Sequence, residues 1–376
     1  MTNPIRVGII GASPDRWAAR AHIPALKSLT SDFEVTALST TRPESARAAG
    51  AQFGVSRVFS HHDALVHCDD VDVVVVAVKV PQHHELASAA IRAGKAVYCE
   101  WPLGNGLGEA ADLAALAAEH RVLAVAGLQA RFAPAVAYVH DLIEQGYVGQ
   151  VLSTTLVGSG MGWGAKIDPA NAYTYDKQNG ATMLTIPFGH TLDALCYCLG
   201  EVTQVTATMT VRRGSFQVGD GDPHPMRVED QLGVTGLLSS GAAFTAHYRG
   251  GSSRGTNLLW EINGTAGDLQ IRAAGGHTQI FELDVLGGKD AQTSLEPLSI
   301  PEQYRTTVSG PAGNLARAYA QLARDYREGT RVCPTFEHAV IRHSMLDAME
   351  TASATGQRQL VRPPPPLPAP RGTHPA

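Results

Sequence analysis

Short apolar runs alternate with amphipathic stretches along the first third of the chain. The runs are "IRVGII", "FEVTALST", "VDVVVVAV", "KAVYCE" and "VLAVAGLQ". Between them lie helix-like segments: "RWAARAHIPALKSL", "RPESARAAGAQFG", "HHELASAAIRAGK" and "GLGEAADLAALAAEHR". Continuously apolar strands that alternate with helices are typical of a parallel sheet covered on both faces. The pattern therefore predicts an α/β domain with a doubly wound parallel sheet over residues 1–128.

The pattern changes after about residue 128. A helical stretch, "APAVAYVHDLIEQG", is followed by strands in which apolar and polar residues alternate: "VLSTTLVGS", "VTQVTATMTVRR", "QLGVTGLLSS", "GAAFTAHYRG", "NLLWEING" and "GDLQIRA". Such alternation indicates an antiparallel sheet with one face toward the core. Two further helices and a proline-rich tail follow. We therefore predict an α+β domain with a large, open, mostly antiparallel sheet over residues 129–362, and an extended tail over 363–376.

Composition narrows the class of protein. Of the 376 residues, 44% are hydrophobic and 17% charged, and the formal net charge is -5. No cluster of Lys or Arg stands out, so we expect neither a nucleic-acid partner nor a membrane partner. The longest apolar run, "VDVVVVAVKV", is too short to span a bilayer. The five cysteines are scattered, which predicts free thiols, no metal site and a cytoplasmic location.

The turn after the first strand carries a degenerate glycine motif. In "VGIIGASPDRWAARAH", Gly8 and Gly11 are three apart, and Ser13 stands where a dinucleotide-binding fingerprint usually has its second glycine. A tight turn that opens a helix presents free N–H groups to a pyrophosphate. The motif predicts a dinucleotide site; the alternative is an ordinary strand-to-helix turn.

The end of the second strand indicates which dinucleotide is bound. A carboxylate there usually bonds the ribose 2′-OH of NAD, but the stretch "ALSTTRPESA" has none. Thr40 and Arg42 offer a hydroxyl and a guanidinium, which suit a 2′-phosphate. We therefore predict NADP, with NAD as the alternative cofactor. The competing interpretation is that Arg42 is simply solvated.

Several motifs together resemble the Gfo/Idh/MocA family. They are "GASPDRWAARAH", "AHIPAL", "KVPQHHELASAAIRAGKAVYCEWPLG", "GLQARFAP", "LIEQGYVGQV", "FGHTLD" and "NGTAGDLQI". The motifs are most similar to the subgroup of the fungal galactose-pathway repressor, a regulator that binds NAD(P). The resemblance implies a Rossmann domain, a second domain with an open sheet, and NAD(P)-dependent chemistry on sugars, polyols and related compounds. It also implies that Trp17, His83, Glu100, Trp101 and Gln129 contact the cofactor.

Two positions depart from the usual family pattern. Trp101 replaces a lysine that lies beside the nicotinamide in the family, and Ile186 replaces an aspartate on a helix of the second domain. We expect Trp101 to shape the floor of the site or to pack under the turn. His190 then remains as the general acid or base, Asp193 would fix its tautomer, and Lys79 would replace the missing cation. Lys79 has a second interpretation, as a solvated lysine at the end of a strand.

The loop "GMGWGAKIDPANAYTYDKQNGA" is rich in glycine and aromatic residues. Trp163, Tyr173 and Tyr175 are candidates for stacking on a sugar ring, and Lys166 or Lys177 for polar contacts. Packing within the loop is the alternative for each of them.

Two classes of function remain open. The first is an NADP-dependent oxidoreductase that acts on a sugar-like or other small hydroxyl or carbonyl compound. The second is a catalytically silent NAD(P)-binding regulator or sensor that acts through protein partners. An open sheet favours self-association, so we predict a homodimer or homotetramer in either case.

Overall fold

The computed structural model describes residues 3–361. The chain forms two compact units. The first contains residues 3–127 and 318–343, and the second contains residues 128–317 and 344–361. The predicted proline-rich tail lies outside the described residues. No helix in the described part of the chain is long and apolar enough to cross a membrane.

The first unit is built on a six-stranded parallel sheet. Its strands are β1 (Ile5–Ile10), β2 (Phe33–Ser39), β3 (Arg57–Phe59), β4 (Val73–Val76), β5 (Ala96–Glu100) and β6 (Ala124–Gly127). Its helices are α1 (Ile23–Lys27), α2 (Pro43–Phe53), α3 (His62–Val66), α4 (His83–Arg92) and α5 (Leu107–His120). The strand order is β3-β2-β1-β4-β5-β6, which reverses at β1. This is the Rossmann arrangement, in which ligands bind beyond the carboxyl ends of the strands at the reversal.

The burial of these strands explains why they read as continuous apolar runs. All four valines of β4 are fully buried, as are Val7 and Ile9 of β1. Strands of a parallel sheet are covered by helices on both faces, so they have no polar face to show in the sequence. The predicted parallel sheet is confirmed.

Residues 318–343 complete the first unit from the far end of the chain. The helices α8 (Gly310–Glu328) and α9 (Phe336–Thr355) are joined by a turn that runs beside β6. There Ala126 N donates a hydrogen bond to Pro334 O (2.8 Å), and Val125 forms an antiparallel bridge with Thr335. The sequence prediction had placed this whole segment in the second domain, because nothing in its pattern distinguishes which core its apolar face covers.

The second unit contains a nine-stranded sheet and a small three-stranded one. Its strands are β7 (Val151–Ser159), β8 (Lys166–Ile167), β9 (Val202–Thr210), β10 (Ser215–Val218), β11 (Pro223–Pro225), β12 (Gln231–Leu238), β13 (Ala243–Arg249), β14 (Leu258–Gly264), β15 (Gly267–Ala273), β16 (Asp284–Lys289), β17 (Glu296–Pro297) and β18 (Gln359–Leu360). The large sheet has the order β17-β16-β15-β14-β7-β13-β12-β9-β18, and β8, β10 and β11 form the small one. The other helices of this unit are α6 (Pro134–Glu144) and α7 (Gly189–Leu199).

The large sheet is mixed but mostly antiparallel, as predicted. Its neighbouring strands are antiparallel except for the pair β7 and β13. Along β13, Phe244, Ala246 and Tyr248 are buried, whereas Thr245 and His247 between them are exposed. One face of the sheet therefore covers the core, and the other remains open within the described residues.

Two short π-helical turns precede α1 and α7. Ala18–His22 leads into α1, and Leu184–Phe188 leads into α7. Such turns are rare and often occur at functional sites.

Candidate functional site

The turn after β1 has the shape that a dinucleotide needs. Gly11 has a φ of +94°, and a Cβ there would lie 2.3 Å from Ala77 O, so only glycine fits. Gly11 N and Ala12 N donate to Ser39 O (2.9 and 3.2 Å), which fixes the turn to the end of β2. The indole nitrogen of Trp17 is buried and has no hydrogen-bond partner within residues 3–361. A rigid turn and an unpaired N–H donor thus lie together at the carboxyl end of β1.

Gly8, the first glycine of the motif, lies inside the strand and not in the turn. It lies within β1, paired with Ala37, and a Cβ there would lie 2.8 Å from Leu65 Cδ2. Its small size lets α3 pack closely on the strand. Ser13 lies in the turn, with its Oγ 3.4 Å from Ser45 Oγ.

The end of β2 presents hydroxyls and no carboxylate. Thr40 is buried and donates from Oγ1 to Arg42 O (3.0 Å). Arg42 is exposed and is the N-cap residue of α2. Within the part of the chain that the structure describes, the Arg42 side chain has no ion pair, so its charge is available to a ligand.

His83 holds the turn after β5 in place. It is buried, with Nδ1 2.7 Å from Pro102 O and Nε2 3.1 Å from Val78 O. Burial lowers the pKa of His83 although both carbonyls favour the charged ring, so it is neutral and donates to only one of them. The contact with Pro102 shows a positioning task for this residue at the turn that carries Trp101.

Trp101 is 4% exposed and packs on a histidine. Its ring centroid lies 4.6 Å from that of His343, with the planes tilted by 45°. Burial lowers the pKa of His343 to about 3, so the indole meets a neutral ring. This contact favours the packing interpretation of Trp101. No local pattern could indicate His343 as its partner, because it lies far away in the chain.

Glu100 is also buried, beside a histidine of the first helical turn. Its Oε1 lies 3.2 Å from His22 Nε2, although Nε2 makes no hydrogen bond within the described residues. His22 Nδ1 and Tyr319 OH are hydrogen-bonded at 2.6 Å. The carboxylate is thus in a polar cluster of the first unit.

Lys79, by contrast, is exposed ahead of a short 3-10 turn, Val80–Gln82.

In the second unit, α7 carries His190 and Asp193, both fully buried. Arg131 binds Asp193 with both arms of its guanidinium, Nε to Oδ2 (2.9 Å) and Nη2 to Oδ1 (2.6 Å). Neither ring nitrogen of His190 has a hydrogen-bond partner among the described residues. The prediction that Asp193 fixes the His190 tautomer is therefore wrong in this structure, because the bidentate arginine holds the carboxylate instead.

His190 has a second histidine beside it that sequence reasoning missed. His277 lies on the loop after β15, with its ring centroid 5.5 Å from that of His190. Burial, and then the nearby His277, lower the pKa of His190 well below its usual value, while Asp193 opposes this shift. The only signal in the sequence was a lone histidine in the glycine-rich stretch "AAGGHTQ".

Two of the aromatic residues predicted to stack on a sugar are buried and donate hydrogen bonds within the glycine- and aromatic-rich loop. Trp163 is 6% exposed, and its Nε1 donates to Thr174 O (3.0 Å). Tyr175 is 5% exposed, donates to Gly164 O (3.2 Å) and packs on Phe216. Packing within the loop therefore accounts for both, and Tyr173, which is half-buried, remains the aromatic candidate of this segment.

The two lysines predicted to make polar contacts with a ligand form ion pairs within the second unit. Lys166 pairs with Asp220 (2.6 Å), and Lys177 pairs with Glu229 (2.7 Å) and Glu350 (3.3 Å). Gln129 is buried in the short 3-10 turn Gln129–Phe132 that also carries Arg131. Ile186 lies in the π-helical turn before α7.

Comparison with known proteins gives two adjoining family matches. Residues 5–128 match an oxidoreductase family with an NAD-binding Rossmann fold, and residues 134–273 match the Gal80p C-terminal domain. The dehydrogenase aclE of Aspergillus oryzae is 31% identical, over 95% of this chain and 98% of that protein. The galactose/lactose metabolism regulatory protein GAL80 of Saccharomyces cerevisiae is 29% identical, over 88% and 84% of the two chains.

A solved structure of levoglucosan dehydrogenase, in complex with NADH and levoglucosan, has the same fold. Its TM-score is 0.84 at 21% identity, over 96% of this chain and all of that one. These matches, together with the Rossmann strand order and the Gly11 turn, confirm the family that the sequence motifs indicated. The chain belongs to the Gfo/Idh/MocA oxidoreductase family, with an NAD(P)-binding Rossmann domain followed by a Gal80p-type C-terminal domain.

Proposed function

We propose that this protein is an NADP-dependent oxidoreductase that interconverts a hydroxyl and a carbonyl group on a neutral, sugar-like compound. The observation that carries the proposal is His190, a buried neutral imidazole with both nitrogens unengaged among the described residues. A neutral imidazole can accept a proton from an alcohol at one nitrogen, and it donates a hydrogen bond from the other.

The residues of the first unit fit a dinucleotide. Gly11 keeps the backbone open, since a Cβ there would collide with Ala77. Trp17 offers a buried N–H donor that nothing else in the described chain uses. Thr40 and Arg42 replace the carboxylate that NAD-specific sites place after β2, and this favours the 2′-phosphate of NADP. The bound nicotinamide supplies or accepts the hydride.

The remaining groups would bind and orient the substrate. Lys79, exposed after β4, is the cation that would stabilise negative charge on the reacting oxygen in place of the usual family lysine. Trp101 would act indirectly, because its buried ring packs on His343. Tyr173 is the aromatic side chain that we assign to a sugar ring.

The five cysteines are free thiols, which suits the cytoplasmic location we predicted.

A second function is favoured by one specific observation. The match to the Gal80p C-terminal domain, together with Trp101 in the lysine position, supports a regulator that binds NAD(P) and does not turn it over. Such a protein would act through a protein partner. The two functions differ in turnover and agree in cofactor binding.

The deciding experiment is a nicotinamide titration followed by steady-state kinetics on neutral sugars, including levoglucosan, L-sorbose and D-apiose. We expect turnover, with kcat in His190→Ala lower by about 10²–10⁴, the usual effect of losing one general acid or base. His120→Ala, an exposed histidine at the end of α5, is the matched control and should match the wild type. Cofactor binding without turnover would establish the regulator instead, and unchanged kcat in His190→Ala would remove that residue from the mechanism.

A further inference from the structure

His190 and His277 form a buried pair of imidazoles in the second unit. His190 is completely buried and His277 is 6% exposed. Their centroids are 5.5 Å apart and their planes are inclined by 42°. Within residues 3–361, no hydrogen-bond partner exists for either nitrogen of His190 or for Nδ1 of His277. The two rings therefore lie side by side without a hydrogen bond between them.

The loop that carries His277 is held firmly against α7. Tyr248 OH donates to Thr191 Oγ1 (2.8 Å) and lies 3.0 Å from Gly276 O. Thr191 and Thr278 are joined through their hydroxyls at 3.1 Å. A Cβ on Gly276 would lie 2.1 Å from Ser159 O, so the loop backbone is pressed against the end of β7. The position of His277 is thus set by the fold.

Unpaired buried polar atoms are costly. Each buried donor or acceptor without a partner loses about 1–3 kcal/mol of hydrogen bonding that water would have given it. Here three imidazole nitrogens share one location, and Gln279 Oε1, two residues after His277, is also buried without a partner in the described chain. Native proteins keep such groups rarely, and a ligand that completes their hydrogen bonds is one physical reason to keep them.

The charge state of the pair selects the kind of ligand. Burial lowers the pKa of His277 to about 3 and that of His190 well below its usual value, so both rings are neutral near pH 7. The neighbouring charges, Asp193 and Arg131, neutralise each other. Two neutral imidazoles offer one donor and one acceptor each. This combination matches a hydroxyl or carbonyl oxygen and offers no counter-charge to a carboxylate or a phosphate.

We propose that His277 is a substrate-binding residue, and that His190 and His277 together hold one oxygen atom of a neutral polyhydroxy compound. The proposal rests on the proposed function, whose substrate site it extends by a residue and restricts to uncharged substrates. His277 donates to or accepts from the same hydroxyl on which His190 acts, so the loop at 276–279 would contribute to substrate specificity.

The test compares two replacements of His277. His277→Phe keeps a buried aromatic ring but removes both nitrogens, and His277→Asn restores a donor and an acceptor near the Nδ1 position. The probes are levoglucosan and L-sorbose, with D-glucuronate as a charged comparison, added to the NADP-saturated protein. Calorimetry gives the affinities, and ¹⁵N-histidine NMR reports the two rings directly.

We expect His277→Phe to weaken binding of the neutral sugar about 10-fold, the effect of one lost hydrogen bond and its stranded partner. His277→Asn should recover part of the loss. Sugar binding should shift the nitrogen resonances of both histidines, and D-glucuronate should bind more weakly than the neutral sugars. The Kd for NADP should stay at the wild-type value in both variants, since His277 lies in the second unit.

Other results separate this proposal from the proposed function. If the wild type turns over a neutral sugar and His277→Phe keeps the same affinity for it, this proposal alone is overturned. If the wild type binds NADP but neither binds nor turns over any neutral sugar, both fail. Preferred binding of D-glucuronate would overturn the restriction to neutral substrates.

Discussion

At the residue scale, two side chains one turn apart on α7 have opposite electrostatic environments. Asp193 is paired in the interior with Arg131, whose guanidinium matches both of its oxygens. Removing one partner of such a pair typically costs about 3–5 kcal/mol, since the other charge is left buried and unpaired. Among the described residues His190 has no hydrogen-bond partner, and burial lowers its pKa so that its ring is neutral. The ion pair therefore links α7 to the turn Gln129–Phe132, while the histidine stays available for a ligand.

The first residue-scale prediction concerns Arg42 and the choice of cofactor. Arg42→Ala should weaken NADP binding by about 1.5–3 kcal/mol, as for a hydrogen bond to a charged group, and should leave NAD binding almost unchanged. Fluorescence titration with NADPH and NADH measures both. Arg47→Ala is the matched control, because Arg47 is an exposed arginine of the same helix whose partner is Glu44. Tighter binding of NADH than of NADPH by the wild type would contradict the assignment.

The residues of the site were only partly predictable. The strand-to-helix turn indicated Gly11, the lack of an acid after β2 indicated Thr40 and Arg42, and the family resemblance indicated His190; their role in binding stays a prediction. The spacing of His190 and Asp193 also suggested a pair, yet Arg131 lies 62 positions before Asp193 and takes its carboxylate. His277 and His343 come close to the site residues only through the fold, and no local pattern indicates such contacts.

At the element scale, Asp325 organises the turn between α8 and α9. It is 2% exposed and accepts hydrogen bonds from Thr330 Oγ1 (2.6 Å), Cys333 N (2.8 Å) and Val332 N (3.2 Å). Burial opposes its ionisation, but these bonds and one from Gln321 outweigh burial and lower its pKa. The turn that runs beside β6 is thus held by one carboxylate.

We predict that Asp325→Ala lowers the free energy of unfolding by about 1.5–3 kcal/mol. Because the folded pKa is below the unfolded value of 3.8, the charged carboxylate stabilises the protein above that pH. This contribution is lost as the pH falls through the folded pKa. Urea unfolding from pH 7 to pH 3 should therefore show a gap between wild type and variant that narrows in acid. Glu328→Ala, an exposed acid in the last turn of α8, should show no such gap.

The existence of the strands was more predictable from the sequence than their pairing in the sheets. The continuous apolar runs predicted β1, β2, β4, β5 and β6, because these strands are buried on both faces. The alternation of apolar and polar residues predicted the main strands of the second sheet, because those strands are buried on one face. The two-residue strands β17 and β18 and the three-residue β11 are too short to show a period. The parallel pairing of β7 with β13 also depends on long-range contacts alone.

At the scale of the whole molecule, the large sheet has one face that nothing in residues 3–361 covers. Thr155, Thr206, Thr235, Thr245 and His247 are exposed on this face. Thr206 and Thr235 pair across β9 and β12, with their hydroxyl oxygens 2.7 Å apart. A broad, flat, β-branched surface of this kind suits a second copy of the chain, in line with the self-association we predicted.

We predict that the protein sediments as a dimer or tetramer at micromolar concentration, and that the double variant Thr206→Lys/Thr235→Lys shifts it toward the monomer. The two lysines would place like charges at the centre of the contact. Gln52→Lys, on exposed α2, adds the same kind of charge elsewhere and should leave the assembly intact. A monomeric wild type would contradict the prediction, as would a double variant that stays fully associated.

The return of residues 318–343 to the first unit has a consequence for synthesis on the ribosome. The strand β6 emerges early, but the turn at Pro334 and Thr335 that covers its outer edge is made more than 200 residues later. At typical translation rates this interval is roughly 10–40 s. During it the nascent Rossmann sheet exposes an unpaired strand edge, the kind that pairs with other chains. The unit whose sheet is translated first is therefore completed only when translation passes residue 343, after most of the second unit has been made.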